Sequence, residues 1–237
     1  MRNFVTRSCL HTAAATWLCV LAAAALPVLA QVAPTPSQAA GYRGLHAAAH
    51  GGDLVQIRKL AAARTPLEAR DGNGRTPVHV AAFARQREAL RELARAGADL
   101  DALDADRYDA VTIASVADDE ETLRTLLALG ASAKQTTSRY DGTALIAAAH
   151  LGHDGVVRQL VAAGAPLDHV NNLHWTAAIE AVVLGDGGAR HLATLKALVE
   201  AGANLRLADR SGRTPLQLAR SRGYAEMVAL LEKAGAK

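Results

Sequence analysis

The sequence predicts an all-α solenoid of about six helix-turn-helix repeats joined by short β-turn fingers, and three observations predict it. A phrase made of a capping residue, a helix start and small residues recurs down the chain, as in Thr76-Pro77-Val78-His79-Val80-Ala81-Ala82. Each phrase runs on to a small-residue stop such as Ala96-Gly97-Ala98. The phrase returns after 33 positions from Arg43 to Thr76, and again from Thr143 to Thr176. A fixed period of this size marks stacked supersecondary units, none of which buries its apolar face alone.

Residues 1–30 read as a secretory signal peptide. Arg2 and Arg7 give a basic start, Ala13 to Leu26 is an apolar run without charge, and Val28-Leu29-Ala30 is a small-residue cleavage pattern before Gln31. The alternative is a retained membrane anchor, but the run is Ala-rich, is interrupted by Pro27, and falls short of the roughly 20 strongly apolar residues that a span needs. A lipoprotein reading through Cys19 meets Leu18, which is too large for the usual attachment pattern. Both cysteines, Cys9 and Cys19, leave with this segment, so the mature chain holds no thiol for a disulfide, a thiolate metal site or a redox pair. Arg2 and Arg7 leave too, which brings the 26 basic and 23 acidic residues close to balance. Near-neutral charge, with no basic stripe interleaved with aromatics, argues against nucleic acid as a partner.

Residues 31–42 follow as a linker, and Ala33-Pro34-Thr35-Pro36-Ser37-Gln38 has the composition of an extended one. The repeats then occupy 43–75, 76–108, 109–142, 143–175, 176–213 and 214–237. Thr76 caps its helix by accepting a backbone N–H, and Pro77 takes the first helical position, where its missing donor costs nothing. Thr214-Pro215 repeats the device, while Thr143-Ala144 and Thr176-Ala177 keep the cap without the proline. Alanines let neighbouring helices approach closely. Leu93, Val156, Val157, Leu160, Leu195, Leu198, Val228 and Leu231 supply the buried stripe of the second helix in each unit. Gly97, Gly130, Gly164, Gly202 and Gly235 stand just past that helix, where a left-handed residue satisfies the last carbonyls.

Three repeats depart from this scheme. The first has Arg64 in place of the glycine, and its second helix carries Gln56, Arg58 and Lys59, the marks of a terminal cap that shows one face to water. In the third, Asp109-Ala110-Val111-Thr112 replaces the phrase, and Asp118-Asp119-Glu120-Glu121 opens the second helix. That acidic cluster fits a cation or a basic partner, but it fits helix capping and the helix dipole better. In the fifth, Thr176 to Gly202 spans 26 positions where Thr143 to Gly164 spans 21. The surplus falls around Leu184–His191, between the two helices. It is either a functional loop or a tolerated surface insertion.

With its 33-residue period and Thr-Pro-Leu-His-like phrase, the chain resembles the ankyrin-repeat family over most of its mature length. The stretch His169-Val170-Asn171-Asn172-Leu173-His174-Trp175-Thr176-Ala177, together with Gly185-Asp186-Gly187-Gly188, is similar to bacterial ankyrin proteins carrying an Asn-Asn-Leu-x-Trp-Thr-Ala finger and a Gly-Asp-Gly-Gly loop. The resemblance implies a concave surface of fingers and inner helices that binds a protein partner. It implies no reaction. With the signal segment, it also implies the bacterial periplasm as the site of action.

Outside the signal segment the aromatics are Tyr42, Phe83, Tyr108, Tyr140, Trp175 and Tyr224. Tyr42, Tyr108 and Trp175 directly precede the first-helix start of their repeats, and Tyr140 lies close to one, so four of the six belong to the fingers. Exposed Tyr and Trp are favoured interface anchors, and finger-on-finger stacking is the other use for them. Candidate partner-binding residues are therefore Tyr108, Tyr140, Asn171, Asn172, His174 and Trp175, with Asp186, Arg190 and His191 from the insertion.

His150 and His153 are spaced like metal ligands, and His169 or His174 would join them from the next finger. No HExxH and no cysteine set accompanies them, so no metal or cofactor is expected. Asp186 and His191 near Ser or Thr lack a nucleophile elbow, a P-loop or a paired carboxylate, so no catalytic residues are expected either. The leading expectation is a non-catalytic protein-protein interaction module of the periplasm. A periplasmic small-molecule or metal-binding protein, and an exported effector acting on a host protein, are the alternatives.

Overall fold

The computed structural model describes residues 31–237, and there the regular structure is all helical apart from one isolated antiparallel bridge between Thr137 and Gly142. A short helix, α1 (Pro36–Gly41), precedes six helix pairs: α2 (Gly44–Gly51) with α3 (Leu54–Ala62), α4 (Pro77–Phe83) with α5 (Arg87–Arg95), and α6 (Ala110–Val116) with α7 (Glu120–Ala128). They continue as α8 (Ala144–Leu151) with α9 (Asp154–Ala162), α10 (Ala177–Val183) with α11 (Ala189–Glu200), and α12 (Pro215–Arg222) with α13 (Ala225–Lys233). The first helices stack on one another in chain order and so do the second helices, giving two layers in which each unit touches its neighbours. The signal segment predicted for residues 1–30 lies outside the described residues, and no described helix is long and apolar enough to cross a membrane.

The recurring phrase works as a helix start. Thr143 and Thr176 accept the N–H groups of Ile146 and Ile179 at 3.3 Å, and Thr214 accepts that of Gln217 at 3.4 Å. At Thr76 the His79 ring closes the turn, because its Nδ1 accepts the Thr76 N–H at 3.1 Å. The ring proton therefore sits on Nε2, which donates to the Tyr108 carbonyl of the next repeat at 2.9 Å. Burial lowers the His79 pKa, in keeping with this neutral ring. His46 reaches the Arg75 carbonyl in the same way at 2.9 Å. The histidine of the phrase thus pins the finger that follows it.

One apolar core runs the length of the stack. Leu93, Val156, Val157, Leu160, Leu195, Leu198 and Leu231 are sealed in it, as the stripe predicts, whereas Val228 is half-buried and Met227 takes the sealed position beside it. Ala81, Ala114, Ala148 and Ala181 are buried where first helices meet. Their small side chains are what lets the layers close up at native packing density.

Two local expectations need correction. The 31–42 segment is not extended throughout, because Thr35 and Gln38 form a capping box and Pro36 sits at the first position of α1. A proline there removes only a donor that has no helical partner anyway. The insertion of the fifth repeat is also less loop than expected. Part of it lengthens α11 to 12 residues against nine in α9, leaving Leu184–Gly188 between α10 and α11. Tyr224 clasps that loop by donating its hydroxyl proton to the Gly185 carbonyl at 2.9 Å. Gly187 has φ +74, and a Cβ on it would lie 2.5 Å from the Tyr224 ring, so only glycine fits. Arg64 adopts φ 56, taking the left-handed turn that Gly164 takes in its own repeat at φ 79.

Candidate finger surface

Most fingers are built around one side chain that bonds to the backbone just after it. Oδ1 of Asp71 accepts the N–H groups of Asn73 and Arg75 at 2.8 and 2.9 Å, and Oδ1 of Asp104 accepts those of Asp106 and Tyr108 at 2.9 Å. Asp209 does the same for Ser211 and Arg213 at 2.9 Å. Burial works to raise the Asp71 pKa, but the bonds from the Arg75 and Asn73 backbone and the Tyr42 hydroxyl outweigh it, so the carboxylate is held below its ordinary value. In the fourth finger the Thr137–Gly142 bridge serves instead, with the Thr137 N–H donating to the Gly142 carbonyl at 2.8 Å.

The tips are then stitched in series by backbone bonds. The N–H of Ala105 donates to Asn73 at 3.1 Å, that of Ser138 to Arg107 at 2.9 Å, and that of Asn172 to Tyr140 at 2.9 Å. The finger edge is accordingly one preorganised ladder.

Asn171 occupies the position of those aspartates in the fifth finger, and the reason lies on α10. Glu180 is buried at 4% exposure; it accepts from Asn171 Nδ2 at 3.1 Å through Oε1 and faces His150 Nδ1 at 3.1 Å through Oε2. An aspartate at 171 would set two carboxylates against each other, whereas the amide supplies a donor. Asn171 Oδ1 still accepts the Leu173 and Trp175 N–H groups at 3.0 Å. Predicted as a binding residue, Asn171 is 4% exposed with its polar atoms spent inside the chain, so its part is to hold the finger. Sequence reasoning missed Glu180, although a lone carboxylate in the apolar run Ala177–Val183 is the signal for it.

The structure brings Tyr140, Asn172, His174 and Trp175 together on the fourth and fifth fingers. Asn172 and His174 are exposed; Tyr140, Trp175 and Tyr108 are half-buried. Val170 and Leu173 beside them are 43% and 37% exposed. Trp175 packs one face on the core. Within the described residues its indole N–H and the Tyr140 hydroxyl make no hydrogen bond. Tyr42, by contrast, is spent on packing, with its ring stacked 5.5 Å from that of His46 and its hydroxyl on Asp71 at 2.8 Å.

Asp186, Arg190 and His191 stand elsewhere. They follow the C-terminal end of α10, while Trp175 precedes its N-terminal end, and the seven residues between span about 10 Å. Their bonds run to earlier repeats. Arg190 pairs with Asp118 at 2.6 Å, and His191 places Nδ1 3.0 Å from Asp186 and Nε2 3.0 Å from the His150 carbonyl. Both ring nitrogens face acceptors. The Gly188 N–H and then the His191 ring bring the Asp186 pKa down. The insertion is a tie between repeats, set about the length of α10 away from the finger aromatics.

The acidic cluster of the third repeat has its counter-ions at hand. Asp119 caps α7 and lies 3.4 Å from Arg85, and Glu121 pairs with Arg87 at 2.7 Å. Three of the candidate metal histidines are each directed to a different acceptor. His150 goes to Glu180, His153 to the Ser115 carbonyl at 2.9 Å, and His169 to the Asp141 carbonyl at 2.6 Å. Among the described residues no three His, Cys, Asp or Glu gather as a metal-holding group.

Comparison with known proteins gives one consistent result. A family model for ankyrin repeats in three copies matches residues 45–137 and 110–206, and a single-repeat ankyrin model matches 211–237. An ankyrin repeat domain from Acinetobacter baumannii AYE is 44% identical with a TM-score of 0.76, covering 81% of this chain and 98% of that one. The ankyrin repeat domain of Bcl-3 is 28% identical with a TM-score of 0.74, covering 83% of this chain and 88% of that one. YahD of Escherichia coli K12, described only as an ankyrin repeat protein, is 41% identical over 100 residues, which is 42% of this chain and 50% of YahD. The match therefore spans half the length of that curated relative.

Proposed function

Because the chain belongs to the ankyrin-repeat family, we propose that it is a non-catalytic module that holds a protein partner against its fourth and fifth fingers, and that it does so in the bacterial periplasm. One observation carries the partner reading. Tyr140 and Trp175 stand half-buried beside exposed Leu173 and Val170, with a hydroxyl and an indole N–H that bond nothing in the described chain. An aromatic with its body packed and its polar tip free is the side chain that interfaces favour, since it gives large contact area at little entropic cost. The backbone ladder beneath fixes the geometry in advance, so little ordering cost is left for binding. Support for the compartment is the basic, apolar, small-residue pattern of residues 1–30.

The experiment compares two substitutions. Trp175→Ala should weaken partner capture by at least about 2 kcal/mol, the scale of an interface hot spot, while circular dichroism stays helical. Arg158→Ala removes an exposed side chain of α9 that pairs with Asp154 at 2.7 Å on its own helix, and it should leave capture intact. Two variants that bind like the parent protein would end the finger reading. A chain found in the cytoplasm with residues 1–30 still attached would end the export reading.

A further inference from the structure

At the other end of the stack, the segment before α1 lies against the second finger, where the first repeat passes into the second. Arg75 is 3% exposed, and its guanidinium rests 5.4 Å over the Phe83 ring. Nη1 is 3.7 Å from Asp71 and makes no hydrogen bond, while Nη2 donates to the main-chain carbonyl of Val32. Nearby, Gln38 donates to Asn73 in the second finger at 3.1 Å. A buried guanidinium short of acceptors sets a strong demand for one. The chain meets it with a neutral carbonyl, a weaker acceptor than a carboxylate. The match is also poor elsewhere, since both polar atoms of the Gln31 amide are buried without a partner. Val32 meanwhile leaves its side chain 65% exposed, so the hold comes from main chain and not from a filled pocket.

We propose that Arg75 and Phe83 form a shelf that binds an extended peptide segment with uncharged side chains through its main chain, and that residues 31–34 of this chain are its built-in and displaceable occupant. A partner strand that reaches the second finger competes with the strap. This inference does not depend on the finger surface of the fourth and fifth repeats.

The test places a nitroxide on Val32→Cys in the full chain with Cys9→Ser and Cys19→Ser. The spin-label spectrum should show an immobilised strap. Arg75→Gln, and separately Phe83→Leu in case the first variant unfolds, should cut the immobilised share by at least about half. A free peptide of residues 31–38 should do the same at roughly 10 mM, above the mM effective concentration of a tethered segment. A label equally mobile in the parent and both variants, or one that stays immobilised under excess peptide, would overturn the proposal.

Discussion

In the first two repeats, His46 and His79 reach across to a carbonyl of the next finger. In the fourth and fifth, Ile146 and Ile179 stand at the matching places, and the ties are made by Glu180 and by His191 from the insertion. In both regions first helix stacks on first helix and second on second. The difference teaches that the period fixes where a joint must be, while the residue that makes the joint is free to move. At one end it is a helix-start histidine. At the other it is a buried carboxylate that spans His150 and Asn171, helped by a loop that lies back on the preceding repeat. The third repeat, between them, has the least settled joint, because Asp109 is 1% exposed and its Oδ2 has no partner.

The largest effect should come from the histidine joint. His79→Ala leaves the Thr76 N–H and the Tyr108 carbonyl without their partner in a sealed site, so urea unfolding should show a loss of about 3 kcal/mol. A loss under about 1 kcal/mol would break the claim that the phrase histidine carries the joint.

The third repeat offers a gain instead. Burial pushes the Asp109 pKa up to about 6, against the bonds from Thr112 that favour the charged form. The folded state therefore holds the proton more tightly than the unfolded chain does. The stability this gives is full below a pH of about 4 and is lost as pH rises through about 6. Asp109→Thr, which installs the cap used by the other repeats, should stabilise the protein by about 2 kcal/mol at alkaline pH and flatten its stability profile between those limits. An unchanged profile would mean that Asp109 is not the titrating group.

Glu180→Ala should cost about 2 kcal/mol, because it strips an acceptor from both Asn171 and His150. In a double-mutant cycle with Asn171→Ala, coupling of at least about 0.5 kcal/mol is expected, and strict additivity would dissolve the proposed network. Smallest is Gly164→Ala, at about 1 kcal/mol, because its φ of 79 penalises any Cβ although only Lys134 lies within 4 Å. A cost above that of His79→Ala would invert the ranking of joints over turns.

The helix starts were legible because the phrase contains its own caps, and the turn glycines because only a left-handed residue ends those helices. Helix α1 was hidden by composition, since Pro34-Thr35-Pro36 reads as extended until Thr35 and Gln38 are seen as a capping box. The finger aromatics were legible from position alone. The burial of Asn171 was not, because the carboxylate that explains it is nine residues away on a helix and the histidine that completes it belongs to the preceding repeat. Nor did the sequence separate Asp186, Arg190 and His191 from the fingers, because nearness along the chain hides the length of α10 that stands between them.

The most direct test of the finger reading uses a photo-reactive phenylalanine at Tyr140 on the fourth finger and, in a second chain, at Arg158, whose side chain on α9 is 60% exposed. Irradiation in the producing bacterium should give one adduct of defined mass from position 140 and none from position 158. An adduct formed as readily at 158, or at neither position, would contradict a partner held on the fingers.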